Sequence, residues 1–362
     1  GPRFIPQPRV RSAFDALTKE FGTALHNVTV VSHNAKFDGL VLAERYGLLP
    51  PYTIDTVDLA RYYESRMSHK LKDLALVLGL QNKGDTSQFK GQHFADLDLV
   101  AMKEYCLNDV YLETELFKRL LPIIDNPALE LPLMRHTLGL YLRPKCHCDY
   151  TLADGIIKDM YKVLDAAVSD VAAWIISETD DQNVEKQLSG DISFVRLLRA
   201  VLPAGESIPV KPGKPSKNMV PLTGAGMIPA FAKDDDGCRA MLDHKDQLIR
   251  ELMTARLAVS SWPNHIGRVK KIVAQARASH DRIRVPLVYY GCHTGRWSGD
   301  EGVNLGNLGG AGRGKALGKL IGEVRHIIRA EPGNTFVLCD AAQIEARDLA
   351  KYAGQTNLVE GF

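Results

Sequence analysis

The sequence predicts a multidomain α/β protein, and three observations carry that prediction. Its 362 residues exceed what one ordinary hydrophobic core organises, so two or three domains are expected. Up to Pro122, short apolar runs alternate with helical periodicity, the pattern of an α/β unit. Beyond Pro122 long helical segments dominate, and strand-like runs return only near residue 284.

Taken in order, Phe14, Leu17, Phe21 and Leu25 fall at helical spacing and predict a first helix over 12–25. "VTVVS" (28–32) is a short buried strand that delivers the polar tip "HNAKFD", and a helix starting at Asp38 follows with "GLVLAERYG". "LKDLALVLGL" (71–80) is a further helix closed by Gly79. A polar loop from Gln81 to Gln92 leads into "DLVAMKEYCLNDVYLETELFKRLLP", a long helix that Pro122 ends. The lysine- and proline-rich stretch "IPVKPGKPSKNMVPLTGAG" (208–226) is an exposed basic loop, either simply solvated or placed for phosphate contact. Last comes "FVLCDAAQIEARDLAKYAG" (336–354), four apolar residues of a buried strand that run into Asp340 and then into a helix.

Bulk properties narrow the class. Hydrophobic residues at 45% and charged residues at 24% describe a globular chain, and no apolar run reaches membrane-spanning length. The net charge of +2 is compatible with a nucleic-acid partner without requiring one. Six cysteines without a CxxC pair point to a reduced, cytoplasmic protein, and no signal peptide is visible. Cys146, His147 and Cys148 are too close in sequence to reach one tetrahedral zinc centre easily. Gly1-Pro2 has the look of a protease-cleavage scar.

Chemistry concentrates in two places. Tyr105 and Asp109 lie four residues apart, hence on one helix face, which can meet the strand tip carrying Asn34 and Asp38. Two carboxylates and a phenol so gathered can hold a divalent ion and orient a water against a phosphodiester; each acid taken alone is equally a surface group or a helix cap. At the other end, Asp340 projects from its strand and Glu345 falls in the first turn of the next helix, where capping and charge–dipole stabilisation are the competing roles. Lys315, Lys319, Arg325 and Arg329 form a basic run that either meets phosphates or is solvated.

"HNAKFD" and "YCLND" resemble the second and third motifs of the tyrosine-bearing DEDD 3′–5′ proofreading exonucleases, over roughly residues 28–122. That resemblance implies an RNase H-like sheet with helices, in which Asp38 and Asp109 ligate metal, Tyr105 positions the nucleophilic water and Asn34 touches the substrate. The family's first motif, Asp-x-Glu, is not found ahead of Ser12. "VLCDAAQIEAR" resembles motif A of family A DNA polymerases, while "HTGRWSG" and "NLGNL" resemble two further segments of that family, with a phage-type member the best match. This second resemblance implies that Asp340 binds two magnesium ions, for which manganese can substitute, and that Glu345 excludes ribonucleotides. It also implies that Thr294, Arg296, Asn304, Asn307 and Gln343 contact primer-template DNA or the incoming deoxynucleoside triphosphate, with Arg296 and Gln343 at the minor groove.

Two departures stand out: Gly306 replaces a glutamine of the pattern, and Ser260-Ser261-Trp262 stands where Lys-Ser-Thr is usual. The resemblance divides the chain into the scar at 1–2, an exonuclease-like domain over 3–122, a helical connector and thumb over 123–284, and the start of a palm over 285–362. The expected parent function is DNA replication by a monomeric enzyme in a bacterial cytoplasm, host to a phage if phage-encoded. Alternatives are a non-catalytic DNA-binding chain and a nucleotide hydrolase, for which "GGAGRGKA" (309–316) nearly fits a phosphate loop but lacks the final hydroxyl. Without the first exonuclease motif the chain is expected to release no nucleotide from a labelled DNA 3′ end. Release that Asp109→Ala abolishes would contradict this.

Overall fold

A computed structural model describes residues 8–361 apart from 23–24, 94–95 and 309–315. The architecture is multidomain α/β, built mainly of helices. Its first part holds α1 (Pro8–Phe21), β1 (Thr29–Ser32), α2 (Ala35–Val41), β2 (Tyr52–Asp55), α3 (Thr56–Tyr63), α4 (Leu71–Val77), α5 (Leu99–Leu120) and α6 (Pro127–Leu142). A helical part follows with β3 (Cys146–Cys148), α7 (Tyr150–Thr179), α8 (Val184–Ser189), α9 (Asp191–Val201), β4 (Val210–Pro212), α10 (Val220–Thr223), β5 (Met227–Pro229), α11 (Asp236–Leu242) and α12 (Gln247–Ala278). The last elements are β6 (Arg282–Ile283), β7 (Leu287–Val288), β8 (Ser298–Gly299), α13 (Ala316–Glu323), β9 (Ile328–Arg329), α14 (Ile344–Tyr352) and α15 (Thr356–Gly361).

β1 and β2 pair in parallel, with Ser32 opposite Asp55. This register brings both strand ends, and the helices that follow them, to one edge. The sheet partner β2 has no counterpart in the sequence-based expectation, because "YTID" is too short to stand out by periodicity. α1 ends four residues earlier than expected, since Gly22 turns left-handed at φ 81° and Leu25 is itself left-handed at φ 49°. α5 forms where the apolar spacing predicts it. Asp98 caps it by accepting the N–H groups of Val100 at 3.0 Å and Ala101 at 3.1 Å, and Pro122 falls in the tight turn beyond its end.

Leu112, Leu116 and Leu120 repeat every four residues along α5 and are fully buried with Leu59, Leu71, Leu74 and Met134. α6 contributes to this core through Met134, and Tyr289 joins it from the chain that follows α12. A separate, larger core unites α7, α8, α9 and α12 around Trp262, Phe194 and Met160. Ser261 and Trp262 therefore sit in the packed middle of α12, where Trp262 is 2% exposed. Arg256, also buried, lies over the Phe194 ring at 5.4 Å and pairs with Asp191.

Between the two cores stands Arg284. Its guanidinium donates to Ser279 Oγ at 2.8 Å, to the Tyr141 carbonyl at 2.7 Å and to Glu44 Oε1 at 2.5 Å. Lys36 adds a second tie, an ion pair to Asp300 at 3.0 Å. β3 is the central strand of a three-stranded antiparallel sheet with β6 and β9, so Cys146, His147 and Cys148 serve as sheet residues.

Three expectations change. The basic stretch 208–226 is a folded hairpin, β4 paired with β5, and Lys211 is held by both oxygens of Asp235 at 2.8 Å. In the basic run, Arg329 is paired with Asp149 at 3.0 Å, while Lys315 lies outside the described residues. Residues 336–339 form no strand; Val337 is 88% and Leu338 92% exposed. Among the described residues no segment hydrogen-bonds to this run, and an extended chain becomes a strand only against a neighbour. Leu116→Ala is expected to lower stability by about 2–5 kcal/mol through the cavity left in the first core, measured as a shift in the urea unfolding midpoint.

Candidate functional site

The first site is organised by Asp55, at the end of β2. Its buried carboxylate accepts backbone N–H groups from Asn34, Ala35 and Val57, each at 2.9 Å. These bonds hold the turn after β1 and start α2 at Ala35, three residues before the expected Asp38. Asn34 occupies the cap position in a left-handed conformation, φ 73°, so Asp38 is a first-turn residue and not the cap. Burial, and next the charge of Asp55, raise the Asp38 carboxyl above its ordinary value.

α5 brings Tyr105 and Asp109 to this edge. Asp109 Oδ2 is bound by Lys83 Nζ at 2.7 Å, and the same ammonium lies 5.3 Å from the Tyr105 ring centroid. Asp109 Oδ1 is buried and makes no hydrogen bond. One turn further along, burial, followed by the charges of Asp38 and Asp109, pushes Glu113 up to about 7. Asp109 and Glu113 lie four residues apart on α5, and the charges of Asp38 and Asp109 both act on Glu113. Burial lowers His33 to about 4, so its ring is neutral where it meets Thr56 Oγ1 at 2.9 Å and the His69 carbonyl at 3.0 Å.

Sequence reasoning missed Lys83, Asp55 and Glu113. Glu113 follows Asp109 by four residues and Tyr105 by eight, which is a legible signal of a shared face. Asp55 ends an apolar run just as Asp340 does. Lys83 carried no signal, because its contact is set by a loop.

The second site joins segments about fifty residues apart. Arg296 pairs with Glu345, which lies in the first turn of α14 as expected. Gln343 precedes α14 in a left-handed conformation, φ 53°. Asp340 and Thr294 are exposed and Asn304 is half-buried; the side chain of Asn307 lies outside the described ones. The phosphate-loop-like residues 309–315 also lie outside the described residues.

Neither site fits a resident divalent ion as it stands. Among the described residues no three His, Cys, Asp or Glu side chains gather closely enough to hold one, and at Asp109 a lysine takes the ligand's place. Residues 34–113 supply a partly buried acidic edge in which Lys83 pairs with Asp109 and Arg61 with Asp58; residues 294–345 supply an exposed acid and an Arg–Glu pair.

Comparison with known proteins fits this division. Residues 11–125 match the 3′–5′ exonuclease family model of DNA polymerase A type. Over 346 residues the chain is 25% identical to DNA polymerase I of Aquifex aeolicus, covering 92% of this chain and 53% of that protein. It thus spans about half the length of this curated relative. The fold is similar, at TM-score 0.58 and 19% identity, to the POL domain of Pol1 from M. smegmatis in complex with DNA primer-template and dNTP, over 95% of this chain and 52% of that one.

Glu113 gives a pH test. Its folded value, about 7, lies above its ordinary 4.5, so its contribution to stability is full below 4.5 and is lost as pH rises through 7. Glu113→Gln is expected to flatten that decline and to leave the variant more stable than wild type at pH 8, read from thermal unfolding across pH 4–8. Residues 11–125 thus carry the likeness to the 3′–5′ exonuclease family model, while over nearly the whole chain the likeness is to DNA polymerase I in sequence, at 25% identity, and to a POL domain in fold.

Proposed function

We propose that this chain is part of a DNA polymerase that carries out template-directed DNA replication, with a proofreading 3′–5′ exonuclease domain of the tyrosine-bearing DEDD, DnaQ-like kind and a phage-type parent. The Arg296–Glu345 contact carries the reading. It unites the "HTGRWSG" segment with the "DAAQIEAR" segment, 49 residues apart in sequence, and these are the two places where a polymerase needs a primer contact beside a sugar-selecting carboxylate.

In this reading Asp340 is the metal-binding acid for nucleotidyl transfer and Glu345 guards the sugar 2′ position. Arg296, Thr294, Asn304, Asn307 and Gln343 hold the primer terminus and nucleotide. Asp38, Asp109 and Tyr105 belong to the exonuclease chemistry, and Asn34 to its substrate contact. Magnesium, two ions per active site and replaceable by manganese, is the proposed cofactor of the parent polymerase; at Asp109 it would have to displace Lys83. Primer-template DNA and deoxynucleoside triphosphates are the proposed partners, the parent a monomer of the bacterial cytoplasm.

The exposure of Asp340, with no assembled acid cluster among the described residues, favours a second reading in which this chain holds DNA without performing chemistry. Primer extension by the parent polymerase separates the two. Asp340→Ala is expected to abolish extension while primer-template binding, followed by fluorescence anisotropy, changes less than threefold. Extension near the wild-type rate removes Asp340 from the reaction.

A further inference from the structure

We propose that Lys83 is the resident cation of the exonuclease-like site, an ammonium that occupies Asp109 and excludes a divalent ion from it. The inference rests on the exonuclease reading only for what the site is; the lysine's role follows from its contacts.

Residues 81–84 are fastened to the face of α5 that carries Tyr105 and Asp109. The Gln81 amide donates to Asn108, and Asn108 Nδ2 donates in turn to the Asn82 carbonyl at 3.0 Å. Gly84 lies beneath the Tyr105 ring so closely that a Cβ there would stand 3.1 Å from the ring edge. Phe89 meets the other part of that ring edge-on at 6.2 Å. The loop is thus seated at four consecutive positions, with Lys83 delivered to Asp109 by its neighbours on both sides.

The lysine is suited to stay charged there. Its side chain is 25% exposed and that of Asp109 is 20% exposed, so the pair is shielded without being fully dehydrated. Asp109 Oδ2 accepts from the ammonium at 2.7 Å, and the Tyr105 ring lies 5.3 Å from it, so both the carboxylate and the ring face favour the charged form.

A magnesium ion needs a carboxylate oxygen at about 2.0–2.1 Å with its other ligands in near-octahedral array. An ammonium at 2.7 Å from Asp109 Oδ2 fills that approach, and the other oxygen, Oδ1, is buried. Lys83 and a divalent ion therefore compete for one carboxylate. Seating the ion requires the 81–84 loop to lift from α5 or the lysine to swing out.

The experiment is a manganese titration of the whole chain without DNA, followed by electron paramagnetic resonance of the free ion. Lys83→Met keeps the length of the side chain and removes the charge; Lys83→Gln keeps a donor for Asp109 and serves if the first variant does not fold. Manganese is expected to bind either variant at least tenfold more tightly than wild type. The gain should vanish when Asp109→Asn is added, and manganese should raise the melting temperature of the variants more than that of wild type. Equal affinity for wild type and both variants, or a gain that survives Asp109→Asn, overturns the proposal. Because no DNA or nucleotide is present, the outcome is independent of whether the chain extends primers or degrades them.

Discussion

The carboxylate of Asp55 is the constraint on which the first site depends. A buried carboxylate is costly to leave in a low-dielectric interior, and three backbone N–H groups are the compensation. Two of them come from the turn after β1 and one from the start of α3, so a single acid fixes how both parallel strands hand over to their helices. The parallel register sets Asp55 opposite Ser32, which places that hand-over at one edge of the sheet. Asn34 can adopt its left-handed conformation because its N–H is held; Asp38 then falls in the first turn of α2, within reach of the charge of Asp55. Burial raises the Asp55 carboxyl, so the same acid that organises the turn also biases the protonation of its neighbours.

How far the fold was legible depended on whether its cause was local. α5 was readable from Asp98, its apolar spacing and Pro122, all of which act within one or two turns. The helix ending near Gly79 was readable for the same reason: a left-handed residue stops a helix wherever it stands. β3, β6 and β9 were not readable, since each has two or three residues and exists through partners well over a hundred positions away or across the whole of α12. The run 336–339 shows the converse. Its residues are apolar and strand-favouring, and without a partner among the described residues they form no strand and stay exposed.

For the sites, helical spacing predicted that Tyr105 and Asp109 share a face, and both meet Lys83 there. What spacing could not reveal was the charge balance. Lys83 sits 26 residues from Asp109 in a loop whose position comes from an asparagine ladder and from a glycine under an aromatic ring. Arg296 and Glu345 were each readable as polymerase-like, whereas their mutual contact required the fold. In both sites the pairing of acid with base emerged only from the packing.

Arg284 has a mechanical consequence. Its planar guanidinium is gripped at three corners by Ser279 from the turn after α12, by Tyr141 from α6 and by Glu44 from the exonuclease-like part, with its face against the Tyr141 ring at 5.5 Å. Apolar surfaces slide over one another at little cost, but a planar fork has a preferred orientation for every bond it makes. Turning the chain after α12 relative to α6 would therefore misalign all three bonds together, so that Arg284 fixes an orientation as well as a contact.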